Sequence, residues 1–181
     1  PAEFSTALMQ AFKDIPKLVN HVHLPIQSGS DRILKAMKRG YTVATFKEIV
    51  AKLRSIRPEM SISSDFIIGF PGETDDDFTA TMQLIAQLKL DQSFSFIYSK
   101  RPGTEAANYP DDIPLPIKKA RLQLVQKLIQ EQTKTISQQM ITTVQKVLVL
   151  TAIKEKLGTY SGKTENNRTV TFSAANIQIG Q

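Results

Sequence analysis

His21 and His23 are the only two histidines of the chain. Two positions apart on an extended segment, they share one face of a strand. No third ligand lies near them in sequence, so a packed or hydrogen-bonded pair is preferred over a metal site. Asp75-Asp76-Asp77 offers three carboxylates; a cation would suit them, but so would a helix start, where the macrodipole favours negative charge. Gly69-Phe70-Pro71-Gly72-Glu73-Thr74 has the glycines of a phosphate loop. It lacks the Gly-Lys-Ser/Thr ending that supplies charge and a magnesium ligand, which excludes a nucleoside triphosphatase of that kind. No Ser/His/Asp order suggests a nucleophilic triad. Cysteine is absent, which excludes a disulfide scaffold, a thiolate zinc site, a cysteine nucleophile and a thiolate-held iron–sulfur cluster within these residues.

The elements that position these residues follow from periodicity and punctuation. Phe4, Leu8, Ala11, Phe12 and Ile15 recur at helical spacing over residues 4–18. Residues 21–26 read as a short strand that ends in the turn Gln27-Ser28-Gly29-Ser30, where Ser30 or Asp31 caps a helix over 32–39. A second helix is expected over 43–56, with Thr45 and Glu48 at capping-box spacing and Pro58 blocking its continuation. Residues 61–70 read as a buried strand, and Thr74 caps a helix with core positions Phe78, Met82, Ile85 and Leu88. A third strand covers 93–98, a proline-containing loop follows, and a long helix spans 117–140. Strand, turn and helix repeated three times imply a parallel sheet with right-handed crossovers, covered on both faces or closed into a barrel. Both polar turns then lie at the carboxyl ends of strands, where α/β folds bind ligands. Ordinary strand-to-helix turn chemistry accounts equally well for either loop alone.

After residue 140 the period changes to alternation, through Val144, Val147, Leu148 and Val149 and again over 169–172. Ser161-Gly162 and Asn166-Asn167 read as the intervening turns. The division is thus an α/β unit over 1–140 and a β-hairpin module over 141–181. Both look incomplete. The chain's 181 residues and 41% hydrophobic content suit folded protein, and no apolar run approaches the roughly 20 residues of a membrane span. Charge is uneven: residues 118–181 hold 10 basic and 3 acidic side chains, against 13 and 14 over residues 1–117. A polyanion partner and a solvated basic face both fit that asymmetry.

Four segments in order carry a family resemblance: residues 23–34 (HLPIQSGSDRIL), 64–74 (SDFIIGFPGET), 101–104 (RPGT) and 162–168 (GKTENNR). Together they resemble the radical S-adenosylmethionine methylthiotransferases, over nearly the whole chain. The resemblance implies an N-terminal cluster-binding domain, a radical-enzyme (βα) barrel and a C-terminal all-β TRAM domain. It also implies two 4Fe–4S clusters, one of them held by Cys-x3-Cys-x2-Cys. In the tRNA-modifying branch, a 5′-deoxyadenosyl radical from S-adenosylmethionine removes hydrogen from C2 of an isopentenylated adenosine beside the anticodon. Sulfur and a methyl group follow.

All six cluster cysteines of the family lie upstream of the matching segments. The chain therefore resembles the second half of the barrel with three parallel strands, plus a truncated TRAM module, and the missing N-terminal part of the same polypeptide is its implied partner. By the same resemblance Gln27, Ser28, Ser30, Gly69, Phe70 and Pro71 contact S-adenosylmethionine, while Lys100, Arg101, Lys163 and Arg168 face tRNA. Hydroxyl and amide groups suit ribose and carboxylate, and glycine admits close backbone approach. No metal ligand and no cluster-holding catalytic residue is expected among these residues. The setting implied is cytoplasmic, without a membrane.

The chain departs from the family at Thr142 and Leu150-Thr151, where glycine and Val-Glu-Gly are usual. Gln27-Ser28-Gly29-Ser30, in place of Gln-His-x-Ser, together with Arg101-Pro102-Gly103-Thr104, favours tRNA over the ribosomal-protein aspartate that other members modify. A non-catalytic RNA-binding module and an unrelated α/β enzyme are the remaining alternatives. Uncovered strand edges of half a barrel would also invite self-association.

Overall fold

The computed structural model describes residues 1–154, 156–175 and 177–180. The first four α-helices begin where a short polar side chain satisfies an otherwise unpaired N–H group. The hydroxyl of Ser5 accepts from the Leu8 N–H to open α1 (Thr6–Asp14), whose Met9 and Phe12 are buried. Strand β1 (His21–His23) leads through the polar turn to α2 (Asp31–Ala36), capped by Ser30 rather than Asp31. Thr42, not the Thr45/Glu48 pair, caps α3 (Val43–Ile56); its hydroxyl accepts from the Thr45 N–H. Thr74 opens α4 (Asp75–Leu88) with a full capping box closed by Asp77.

The expected strand over 61–70 is two strands, β2 (Ser61–Ser63) and β3 (Asp65–Ile68), broken at Ser64. There the ladder passes through side chains: the Ile26 N–H donates to Ser64 Oγ at 3.0 Å and the Ser64 N–H to Ser93 Oγ at 3.0 Å. β1 pairs with β2 in parallel, and β3 pairs in parallel with β4 (Phe94–Ile97). A bridge from Gln27 to Phe66 carries the first strand line on to β3. The three predicted strand lines therefore lie side by side in chain order. Helix α5 (Leu115–Gln139) packs Val125 and Ile129 into the same core as α3 and α4.

That core lies on one face of the sheet. Ile26, Ile62, Phe66 and Ile68 from the strands meet Phe46, Val50 and Leu53 of α3 and Leu84 and Ile85 of α4, all essentially inaccessible. Each such side chain contributes about 1.5–3 kcal/mol by leaving water. The opposite face is bare: Phe94 and Phe96 are 57% and 55% exposed. Among the described residues the sheet is therefore covered on one face only, where an incomplete α/β unit was expected.

The C-terminal residues form a separate antiparallel sheet in the order β5 (Val147–Ala152), β6 (Thr159–Thr164), β7 (Thr169–Ser173). Asn166-Asn167 makes the β6–β7 turn, with Asn167 at φ 65°. Ser161-Gly162, expected as a turn, lies inside β6 instead. A Cβ on Gly162 would stand 2.5 Å from the Leu148 carbonyl oxygen, so close strand approach is what requires glycine there. β5 is irregular between Val149 and Thr151, the site of one departure from the family pattern. The other departure, Thr142, holds φ at 69°, a conformation that costs a β-branched residue about 1–3 kcal/mol. Thr142→Gly is expected to raise unfolding stability by about 1 kcal/mol, net of the entropy that glycine adds to the unfolded chain. A urea titration with an unchanged slope checks this.

Candidate ligand rim and RNA-facing surface

At the carboxyl ends of β3 and β4 the bare face opens into a cleft of about 330 Å³. Asp65 and Ile67 come from β3, Phe96 from β4, and Tyr98, Arg101 and Thr104 from the loop beyond it; Gln27, Met37, Arg39 and Phe70 complete the rim. Apolar and aromatic faces here suit a flat ring. Asp65 suits hydroxyl or ammonium groups, and the two guanidinium groups suit phosphate or carboxylate. Phe70 is fixed edge-on against Tyr98 and Tyr109, with centroids 5.0 and 6.2 Å apart.

Of the residues implied as cofactor contacts, Gln27 and Phe70 line this cleft, whereas Ser28, Ser30, Gly69 and Pro71 do not. Those four sit in the two loops that build the rim. The Ser28 hydroxyl accepts from the Ser30 N–H at 3.2 Å, and the Gly29 N–H donates to Thr81 Oγ1 at 2.9 Å. A Cβ on Gly29 would overlap the Thr81 and Ala80 backbone, so the loop seats directly on α4. Ser30 Oγ donates to Asp77 Oδ1 at 2.5 Å, and Arg32 donates to Asp77 and to the Gly72 carbonyl at 2.6 Å. One carboxylate thus ties both rim loops together.

Gly69 adopts φ 69°, and its N–H donates to both carboxylate oxygens of Glu73 at 3.2 Å. Arg121 of α5 donates to Glu73 Oε1 at 2.7 Å and to Asp75 at 2.6 Å, while buried Lys118 of the same helix covers Gly69 and pairs with Asp111. Burial raises the Glu73 carboxyl above its ordinary range, although the Gly69 N–H and Arg121 oppose the shift. Burial acts on Asp77 in the same sense, but hydrogen bonds from Arg32, Ser30 and Thr74 outweigh it and hold its carboxyl far below the usual range.

Leading away from the cleft at Asp65, the two histidines join a row of side chains that sequence order concealed. Ser63 Oγ lies 3.1 Å from His21 Nε2 and 2.9 Å from His23 Nδ1, and His23 Nε2 lies 3.2 Å from Asp65 Oδ2. The parallel register that sets His21 beside Ser61 and His23 beside Ser63 makes this row. Burial, then the neighbouring His23, lowers the pKa of His21. Ser63 is buried and its hydroxyl is shared between two imidazoles, so the row is a hydrogen-bonded wall. No group of three metal-binding side chains forms among the described residues.

The basic residues separate by what they touch. Lys100 and Arg101 are exposed beside the cleft. Lys163 donates to the Asn167 carbonyl at 3.1 Å at the opposite end. Arg168 does not face outward: it makes a two-pronged ion pair with Asp91 at 2.7 and 2.9 Å. Lys118, Arg121 and Arg168 are thus neutralised internally, and the charge excess of the C-terminal third overstates its free cations. Arg39, Asp65, Phe96 and Tyr98 were missed as cleft residues. Alternation along two strands was the available signal for Asp65 and Phe96; nothing in the sequence places Arg39 there.

The model of the radical SAM superfamily matches residues 3–85. A tRNA-2-methylthio-N(6)-dimethylallyladenosine synthase of Nitrosomonas eutropha is 58% identical over 96% of this chain and 39% of its own length. Proteins of the same name from Coxiella burnetii and Xylella fastidiosa are 55% and 58% identical over 100% of the chain, and 41% and 36% of theirs. Nearly the whole chain is thus similar to tRNA-2-methylthio-N(6)-dimethylallyladenosine synthases, and its first part to the radical SAM superfamily. The chain spans about two fifths of the length of these curated relatives. No helix among the described residues is long and apolar enough to cross a membrane.

The rim's acid sensitivity follows from Asp77. A carboxyl whose pKa is lower folded than unfolded stabilises the fold above the unfolded value of about 4, and that contribution is lost as pH falls. Asp77→Asn should destabilise the chain at neutral pH, with the difference from wild type shrinking steadily below about pH 4. Urea unfolding across pH checks this; a pH-independent difference would remove the assignment.

Proposed function

We propose that the chain forms part of a tRNA methylthiotransferase that installs a methylthio group at C2 of N6-isopentenyladenosine beside the anticodon. Sequence likeness over the whole chain to relatives bearing that activity in their names carries the reading. In it, residues 1–140 are the second half of a radical-enzyme barrel and residues 141–181 part of a TRAM module. The bare sheet face, with its exposed Phe94 and Phe96, is the interior that the rest of such a barrel would cover. A tRNA substrate implies a cytoplasmic setting.

The two cofactors of the family fare differently against these residues. An iron–sulfur cluster does not fit: the chain has no cysteine, and no group of three His, Asp or Glu side chains among the described residues replaces one. S-adenosylmethionine fits as a ligand of one wall. Phe96 and Tyr98 offer flat apolar surface backed by buried Phe70, Asp65 and Gln27 offer polar groups to ribose and the amino acid end, and all five line one cleft. Ser28, Ser30 and Gly69 serve the same site through the hydrogen bonds that hold its two loops, the second of which contains Pro71. When bound, and reduced by a cluster held elsewhere on a longer chain, the cofactor supplies the hydrogen-abstracting chemistry. Lys100 and Arg101 meet substrate phosphate at the rim; Lys163 does so at the far end.

Two experiments test the reading. After anaerobic reconstitution with iron and sulfide, the 181-residue chain should produce no 5′-deoxyadenosine from S-adenosylmethionine; turnover without cysteine would overturn it. The chain should also bind tRNA weakly, with affinity falling steeply as salt rises if several phosphates are contacted. A flat salt response would remove the RNA-facing role.

A further inference from the structure

The C-terminal sheet is joined to the α/β unit through one small set of side chains. Among the described residues, every side-chain hydrogen bond between residues 1–140 and the C-terminal sheet involves Asn166 or Arg168. Asp91 sits just before β4 with its carboxylate almost wholly buried, and Arg168 is 13% exposed. Both prongs of the guanidinium reach it, at 2.7 and 2.9 Å, while Arg168 Nε donates to Ser137 Oγ of α5 at 3.1 Å. Ser61 of β2 donates to the same carboxylate at 3.1 Å, and Gln92 donates to the Asn166 carbonyl at 3.1 Å. A buried carboxylate with a two-pronged arginine fixes angle as well as distance.

We infer that the Arg168–Asp91 pair is a latch that sets the orientation of the C-terminal sheet on the α/β unit, making Arg168 a positioning residue and not an RNA contact. With the latch closed, the hairpin tip lies against the amino-terminal end of the bare face, where Asn167 shares a small cavity with His21, His23 and Phe94. Lys163 is thereby held at a fixed place relative to the rim cleft. The consequence for tRNA rests on the proposed RNA-facing role of this sheet; the latch itself does not.

Asp91→Asn separates the alternatives by sign. If Arg168 contacted phosphate, releasing it from Asp91 would tighten tRNA binding. If it is a latch, the sheet swings free and affinity for unfractionated tRNA falls, by about tenfold where two anchored surfaces act together. Orientation is read independently, because a chain without cysteine accepts two spin labels cleanly, at Gln87→Cys and Thr171→Cys, both exposed. Wild type should give one narrow distance distribution. Asp91→Asn and Arg168→Gln should both broaden it, with Arg168→Lys recovering part of the order, and thermal melting confirms that each variant remains folded. Unchanged distances, or tighter tRNA binding by Asp91→Asn, overturn the latch. If wild type fails to bind tRNA at all, the functional reading fails while the label distances still decide the latch.

Discussion

The rim depends on the carboxylate of Asp77. It closes the capping box with Thr74, receives the Ser30 hydroxyl that opens α2, and pairs with Arg32, which also holds the Gly72 carbonyl. These groups come from two loops about 40 residues apart in sequence. Neither loop has a regular ladder of its own, so a shared anion at a helix start, favoured by the macrodipole, fixes their spacing. The conformations of Gln27 and Phe70 at the cleft follow from that spacing. Glu73 does comparable work one turn earlier, where Arg121 and the Gly69 N–H compensate the desolvation that raises its pKa.

Much of this was legible in the sequence because local rules and tertiary packing agree. Thr74, Ser30 and the Asp75–Asp77 run are read correctly as helix starts, since capping acts over three residues. The three strand lines and α5 emerge from apolar periodicity. What sequence could not supply is lateral register. The His21–Ser63–His23–Asp65 row exists only because β1 and β2 pair in one parallel alignment. Ser161-Gly162 misled for the converse reason: its composition is that of a turn, while the glycine answers to a neighbouring strand's backbone.

Charge was the least transferable signal. Lys118 and Arg121 of α5 reach back to the loop after β3, and Arg168 reaches back to Asp91, so part of the C-terminal excess is structural. A sum over a sequence window cannot distinguish a lysine that attracts phosphate from one that completes an internal pair. Burial distinguishes them. Lys118 is 3% exposed and cannot meet a partner without being pulled out of the fold.

The remaining candidate RNA-facing cations, Lys100, Arg101 and Lys163, divide between the loop after β4 and the hairpin. Arg101 follows β4 and Lys163 lies with the hairpin docked before it. The strand between them, Phe94–Ile97, is four residues long, about 13 Å of extended chain. In the proposed enzyme, Arg101 meets substrate phosphate beside the cleft and Lys163 meets it along the hairpin. The hairpin then contributes affinity, and the cleft decides which atom reacts.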